Sequence, residues 1–501
     1  MESLSRYKAI LFDVGNTLVR QESPDVPVEQ LRIKVLPGVL EALEMLNGKY
    51  KMGLVSNSKN LSANQIREKL ELAGIAKYFE TAVSSFDIGI EKPNPEPLQM
   101  ALNELGVNAS ESLYIGDNDS DRIAAKNAGM DFMFTSQNLL ESLINYDSQF
   151  NSSWHRAKIV PLCFYKDIQG RIQDRLDNLV KPKGSLGRIE ELLLQLSGIT
   201  GDQPSIDPAA IAIFIGDHGI AADNSVTPWP QDISRLMADL IVEGKAAASV
   251  MAKNADIYVE VINVGLINPP SSRAIRNDYV AKGTKDFRQE DAMSLQELMS
   301  VLEIGADAAE RLVAGGSRTL AVGEVGIGNT TSSAILIGLI CKESAESVTG
   351  RGSGIPEDIY LSKLEIIKNA ICVGSGIKSE LEILAKFGGF EIAAMVGFII
   401  RAATLKVPII LDGISTLAAA LIAHKIRPEI INNLIAGHLS AEPASRIATD
   451  YLRLNPILNL DLRLGEGTGA LLSIPILRTA CTLYEEMGEL NELLGKIKQG
   501  S

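Results

Sequence analysis

Near the C-terminus, Leu464-Gly465-Glu466-Gly467-Thr468-Gly469-Ala470 sets one carboxylate among three glycines, between a leucine-rich segment and the apolar run from Leu471 to Leu483. A lone Glu in such a turn has no packing role, whereas backbone that closely approaches a ligand needs glycine. Glu466 therefore reads as a general base, against the plainer reading of a glycine-rich helix cap with an incidental acid. Two further glycine loops, Gly328-Asn329-Thr330-Thr331 and Gly350-Arg351-Gly352-Ser353-Gly354, have the composition of phosphate cradles, the second with a guanidinium; the plain alternative is helix-packing glycine.

A second set of reactive types stands at the ends of short apolar runs in the first third of the chain. Ala9-Ile10-Leu11-Phe12 leads into Asp13, and Met52-Gly53-Leu54-Val55 leads into Ser56-Asn57-Ser58. Lys92 follows in Glu91-Lys92-Pro93-Asn94-Pro95, and Leu113-Tyr114-Ile115 leads into Gly116-Asp117-Asn118-Asp119-Ser120-Asp121. The carboxyl ends of parallel strands are where α/β proteins bind ligands. The implied chemistry is phosphoryl transfer through an aspartyl phosphate. Asp13 attacks; Ser56, with Asn57 beside it, and Lys92 hold phosphoryl oxygens; Asp13, Asp117 and Asp121 surround Mg²⁺, whose oxygen shell suits carboxylates and phosphate. Singly, each has a dull reading as a turn residue, a loop cap or a solvated charge. In this order, residues 7 to 135 resemble the haloacid dehalogenase-like hydrolases. Phosphatases of that family carry a second Asp two residues after the nucleophile, and here that position is Gly15. Loss of a general acid/base typically removes about 10²- to 10⁴-fold in rate. The spacing from Asp13 to Ser56 and from Ser56 to Lys92 is too short for a large cap domain.

The elements that must position these groups follow from length and composition. The chain has 501 residues, 46% hydrophobic and 22% charged, enough for two or three cores. Lys plus Arg number 48 against 62 Asp plus Glu, a net charge of -14, which argues against nucleic-acid or anionic-membrane binding. Apolar runs are cut by charge well short of a membrane span. Cys163, Cys341, Cys372 and Cys481 are far apart with no C-x-x-C pair, so neither zinc nor a disulfide framework is indicated, and a cytoplasmic protein without a signal peptide is expected. The expected fold class is α/β in two domains. An N-terminal Rossmann-like sheet with minimal cap spans 1–147, 148–165 is a linker that includes His155, and a mostly parallel sheet with a small helical subdomain spans 166–495. In the second domain, Ala210 to Ile215 ends in Gly216-Asp217-His218-Gly219, Leu320 to Val322 ends in the loop beginning Gly323-Glu324, and Val407 to Leu411 ends in Asp412-Gly413. His218 reads as a loop cap, and His424 and His438 as packing or surface residues.

Seven motifs in order, from Lys181-Pro182-Lys183-Gly184-Ser185-Leu186-Gly187-Arg188 through the Gly216, Pro230-Gln231, Gly323 and Gly350 loops to Ser440-Ala441-Glu442-Pro443 and Leu464 to Ala470, resemble the nicotinate-nucleotide:dimethylbenzimidazole phosphoribosyltransferases. The departures are conservative: Ile220, Ser353 and Gly413-Ile414. The resemblance implies transfer of 5-phosphoribosyl from nicotinate mononucleotide to 5,6-dimethylbenzimidazole, with inversion to α-ribazole 5'-phosphate. It implies Glu466 as the base that takes the benzimidazole proton, Glu324 as a second active-site carboxylate and Lys363 as a site lysine. Gln231 and Leu464 would line the base pocket, and Gly328, Asn329, Thr330, Gly350, Arg351, Gly352 and Ser353 would hold the 5'-phosphate. It implies small-molecule substrates, a homodimer and no cofactor for the transfer. The first domain is then a Mg²⁺-dependent phosphatase for the product or, if Gly15 marks lost hydrolysis, a binding module.

Overall fold

Ala9-Ile10-Leu11-Phe12 is buried at every position, as an apolar run without alternation requires, and forms the middle strand of a parallel sheet. A computed structural model describes residues 3–20, 34–135, 138–140, 142–143, 152–160, 162, 164–352 and 354–499. It divides into two units, Met1–Ser152 and Ser153–Ser501.

The first unit contains β1 (Ala9–Phe12), β2 (Val19–Arg20), β3 (Lys34–Val35), β4 (Lys51–Ser56), β5 (Thr81–Ser84), β6 (Ser112–Gly116) and β7 (Asp131–Phe134). The sheet order is β5-β4-β1-β6-β7, every pair parallel. Strand order reverses at β1, so the crevice for a ligand opens past its carboxyl end. Alternate residues of the strands feed two cores. Ile10, Phe12, Met52 and Leu54 meet the helices Val39–Leu46 and Ala63–Leu72, whereas Ala9, Leu11 and Val55 meet Glu96–Leu105 and Asp119–Ala128. β2 and β3 pair antiparallel, and among the described residues no separate cap domain is inserted.

The second unit is built on β8 (Ala209–Gly216), β9 (Tyr258–Gly265), β10 (Arg276–Asn277), β11 (Thr319–Val325), β12 (Ile409–Leu411) and β13 (Leu434–Ala436), in the order β10-β9-β8-β11-β12-β13 and parallel throughout. β8 and β11 are buried at every residue, because helices cover both faces. The two-residue strand period divides β8 cleanly. Ala210, Ala212 and Phe214 face the helices Leu295–Ala314, Phe390–Thr404 and Ile414–Ile426. Ile211, Ile213 and Ile215 face the helical pair Lys166–Asn178 and Arg188–Thr200 together with Thr468–Glu486.

The boundary differs from the expected linker of 148–165. A helix, Ser153–Ile159, belongs to the second unit: Trp154 and Ala157 are buried in its larger core. The Ser153 and Trp154 N–H groups donate to Glu303 at 2.6 and 2.9 Å, and Arg156 pairs with Glu310 at 2.7 Å. Seven residues, barely two helical turns, leave too little periodicity to read against a polar run. Residues 144–151 and the side chain of His155 lie outside the described residues. Among those described, no helix is long and apolar enough to cross a membrane, and Cys341, Cys372 and Cys481 are free thiols.

Candidate active sites

Gly465, Glu466 and Gly467 all have left-handed backbone, with φ of 85°, 60° and 81°. For Glu466 this costs about 1–2 kcal/mol, so something must hold the turn. Asp412, at the end of β12, accepts the N–H of Gly467 on Oδ2 at 3.0 Å and that of Gly469 on Oδ1 at 2.7 Å. Hydrogen bonds to a charged group contribute roughly 1.5–3 kcal/mol each, enough to outweigh the strain. The Glu466 N–H also donates to the Glu324 carbonyl at 3.2 Å. Gly323 permits this contact: a Cβ there would lie 2.6 Å from the Gly467 nitrogen.

The turn closes one side of a cavity of about 340 Å³, whose apolar wall includes Val226, Trp229, Ile233 and Met237. Glu324 and Glu466 both line it and are 7% and 6% exposed. Burial, then Glu391, Asp412 and Glu466, push the Glu324 carboxyl well above the ordinary range. Burial also raises Glu466, opposed by the Ala248 N–H and assisted by Asp412. Glu466 Oε2 is buried without a hydrogen-bond partner. A carboxylate with a raised pKa and a free lone pair is a stronger base than an exposed one and is placed to accept a proton. Glu324 is instead held by the Asn329 side-chain amide.

At the other end, the start of helix Asn329–Cys341 brings Thr330 Oγ1 2.9 Å from Lys363 Nζ. Lys363 is 1% exposed and burial pushes it down to about 8, Glu442 opposing. Gly352 joins two side chains: its N–H donates to Glu442 Oε1 at 2.8 Å and its carbonyl accepts from Arg463 at 3.0 Å. Lys363, Thr330 and Arg463 thus bring two cationic side chains and a hydroxyl into the lining of the same cavity.

Several expected ligands are placed differently. Asn329 uses its side-chain amide on Glu324 and its N–H on the Gly326 carbonyl, so it positions the second carboxylate. Arg351 lines the cavity, but its guanidinium bonds the Ile355 carbonyl and Glu357 and lies 4.5 Å above the Tyr360 ring. Gln231 is not among the cavity residues; its amide donates to the His218 carbonyl at 2.6 Å. Gly350 acts by lacking a side chain, since a Cβ would lie 1.9 Å from Glu442 Oε2. Leu464 sits at the mouth, 57% exposed, and Ser353 lies outside the described residues. His218 is buried between Glu391 Oε1 (2.6 Å) and Ser332 Oγ (3.2 Å). His438, expected to be packing or surface, lines the cavity. Sequence reasoning gave no role to Asp412, Arg463 or His438, whose partners lie far along the chain.

In the first unit, Lys92 is the hub. Its Nζ donates to Asp13 Oδ1 (2.6 Å), Asp121 Oδ1 (2.7 Å) and the Tyr114 hydroxyl (2.7 Å). Burial raises the Asp13 carboxyl to about 6, against the pull of Lys92. Burial pulls Lys92 down, but Asp13 and Asp121 outweigh it and its pKa is raised. Asn57 clamps the Lys92 backbone from both sides, at 3.0 and 2.9 Å, a positioning role. Ser56 ends β4 beside it. Tyr114, missed because its place in a buried strand reads as core, is pushed well above 10 by burial, then Asp13 and Asp121.

Asp13, Asp117 and Asp121 each offer an oxygen within 4.8 Å of the others. Asp121 Oδ2 is buried without a partner, which suits a hard cation with oxygen ligands.

Comparisons with known proteins divide the chain in the same way. Residues 164–493 match the phosphoribosyltransferase family and residues 10–135 the haloacid dehalogenase-like hydrolases. Nicotinate-nucleotide–dimethylbenzimidazole phosphoribosyltransferase of Halalkalibacterium halodurans is 35% identical over 326 residues, covering 65% of this chain and 91% of that protein. The protein of the same name in Chloroflexus aggregans is 38% identical over 321 residues, covering 64% and 91%. Among solved structures, CobT from Thermus thermophilus aligns with a TM-score of 0.63 at 35% identity, over 65% of this chain and 98% of that one.

Proposed function

The chain belongs to the phosphoribosyltransferase family over residues 164–493, and from that premise we propose that it transfers 5-phosphoribosyl from nicotinate mononucleotide to 5,6-dimethylbenzimidazole. The observation that carries this reading is the buried, unpartnered Oε2 of Glu466, a raised carboxyl in the lining of a cavity that Lys363 and Arg463 also line. The 5'-phosphate binds at Lys363, Thr330 and Arg463, and the benzimidazole stacks on the apolar wall. Glu466 takes the N–H proton while the other ring nitrogen attacks C1', and nicotinate leaves with the electrons of the glycosidic bond. Because nicotinate departs from a cationic pyridinium nitrogen, the transfer needs no metal in outline. Attack opposite the leaving group inverts the anomeric centre. The test is incubation with both substrates and assignment of the product's anomeric proton: an α-glycosidic product with equimolar nicotinate is expected, and a β product would overturn the mechanism. By the same relationship the enzyme works as a homodimer, which sedimentation would check, and the free thiols support a cytoplasmic setting.

Residues 10–135 form a haloacid dehalogenase-like domain, which we read as a phosphatase for the monoester made by the second unit. Mg²⁺ held by Asp13, Asp117 and Asp121 would offset the charge of the phosphoryl group. Asp13 attacks phosphorus as the bond to the ribose 5'-oxygen breaks, that oxygen taking its proton from water, and a second water then hydrolyses the aspartyl phosphate to free Asp13 and phosphate; Lys92 steadies the nucleophile and the phosphoryl oxygens. Gly15 favours a second reading, a phosphate-binding module with impaired hydrolysis. Mg²⁺-dependent phosphate release from α-ribazole 5'-phosphate by the full chain separates the two.

A further inference from the structure

Tyr114 lies in the middle of β6, fully buried, in a core it shares with Ala9, Leu11, Leu98 and Ala101. A phenylalanine would fill that core equally well, and a hydroxyl taken out of water costs free energy unless it is hydrogen-bonded. The Tyr114 hydroxyl lies 2.7 Å from Lys92 Nζ, 3.1 Å from Asp121 Oδ1 and 3.4 Å from the Val55 carbonyl. An ammonium group has three protons to give and no acceptor. Lys92 gives them to Asp13, Asp121 and Tyr114 at 2.6, 2.7 and 2.7 Å, with the Val55 carbonyl a longer fourth at 3.2 Å. The phenol oxygen is therefore the acceptor toward Lys92, and its own proton goes to the nearer, charged oxygen, Asp121 Oδ1.

Asp121 Oδ1 thus receives two donors, while Oδ2 is buried without a hydrogen-bond partner. Gly116 makes room for that oxygen, since a Cβ there would come within 2.5 Å of it. The Asp121 N–H donates to Asn118 Oδ1 at 3.1 Å, so the backbone and one carboxylate oxygen are both fixed. The other oxygen is left for a cation shared with Asp13 and Asp117. Lys92 is divided between Asp13, Asp121 and, in the phosphatase reading, the phosphoryl oxygens, whereas the Tyr114 proton has no other charged acceptor. Partners that hold a ligating carboxylate from behind tune its affinity, and their loss typically weakens metal binding by about 10- to 100-fold. We propose that Tyr114 is a positioning residue for the divalent cation, holding Asp121 by Oδ1 so that Oδ2 remains for the ion. The proposal rests on the reading of Asp13, Asp117 and Asp121 as a Mg²⁺ site.

The test is calorimetric titration of Mg²⁺ into the full-length wild type and Tyr114→Phe, which keeps the ring and deletes the hydroxyl. The variant should bind Mg²⁺ about 10- to 100-fold more weakly. In an Asp121→Asn background the same change should add little, because the hydroxyl acts through that carboxylate. Phosphate release from α-ribazole 5'-phosphate that Tyr114→Phe loses at low Mg²⁺ should return at saturating Mg²⁺, with KM for the monoester unmoved. A loss of equal size in both Asp121 backgrounds, or one that saturating Mg²⁺ does not restore, overturns the proposal, since a defect of the core or of Lys92 would behave so. Should Tyr114→Phe not fold, the wild type labelled with ¹³Cζ-tyrosine serves: a tyrosine resonance should move as Mg²⁺ binds, and a spectrum that does not change overturns the proposal. Mg²⁺ binding by the wild type that a folded Tyr114→Phe matches sinks this inference alone. No Mg²⁺ binding by the wild type sinks the metal reading beneath it.

Discussion

Asp412 controls Glu466 without standing next to it in the sequence: its carboxylate accepts the N–H groups of Gly467 and Gly469, and so fixes the left-handed turn that presents Glu466 to the cavity. Replacing it by Ala leaves two buried amides unpaired, at about 1–3 kcal/mol each, and frees the strained turn to relax. Asp412→Ala should lower the melting temperature and reduce kcat by roughly 10²-fold, the order lost when a catalytic group is displaced by an ångström. KM for nicotinate mononucleotide should change little. Steady-state kinetics with calorimetry check this, and unchanged kcat in a folded variant would dissociate Asp412 from Glu466.

The raised Glu466 carboxyl links activity and stability to pH in opposite directions. Activity needs the carboxylate, so kcat/KM should rise with pH through its folded-state pKa, which lies above the ordinary 4.5. Between the ordinary and the raised value the folded state binds the proton that the unfolded chain has released, so stability falls as pH rises across that window. Glu466→Gln removes this term. Its melting temperature should gain on the wild type from pH 5 to pH 8, and a constant difference would contradict the raised carboxyl.

Lys363, pushed down to about 8 by burial, should hold the 5'-phosphate only when protonated. For the free enzyme, kcat/KM for nicotinate mononucleotide should therefore decline above about pH 8. Lys363→Met should raise KM for that substrate and abolish the decline. A decline that survives in the variant belongs to another group.

The N-terminal site should hydrolyse slowly. Gly15 leaves the leaving group without the usual proton donor, a deficit of about 10²- to 10⁴-fold. Asp13→Asn should abolish Mg²⁺-dependent phosphate release, and Gly15→Asp should raise it. If Asp13→Asn releases phosphate as fast as the wild type and Gly15→Asp adds nothing, the domain is a binding module.

What could be read in advance follows from where the partners lie. Asp13, Asp117 and Asp121 follow apolar runs, and a parallel sheet gathers such strand ends, so their meeting was legible; Lys92, in a proline-flanked loop, was placed by its order among them. Glu466 stood out as an acid among glycines, whereas Glu324 came only from the family resemblance. Tyr114 was not, because only its three-dimensional neighbour Lys92 separates it from an ordinary core tyrosine. Asp412, His438 and Arg463 depend on register between distant segments, which local patterns do not encode. A guanidinium in a glycine loop says nothing about Glu357 and Tyr360, so the contacts Arg351 makes with them could not be read from the loop.

Glu466→Gln keeps the shape of the side chain and removes its basicity. Product formation from nicotinate mononucleotide and 5,6-dimethylbenzimidazole, measured at neutral pH beside the binding constant for the nucleotide, isolates the proton transfer. Turnover should fall by roughly 10²-fold or more, as for a general base, with nucleotide binding retained. Turnover close to that of the wild type would remove Glu466 as the base and contradict the assignment of this cavity's chemistry.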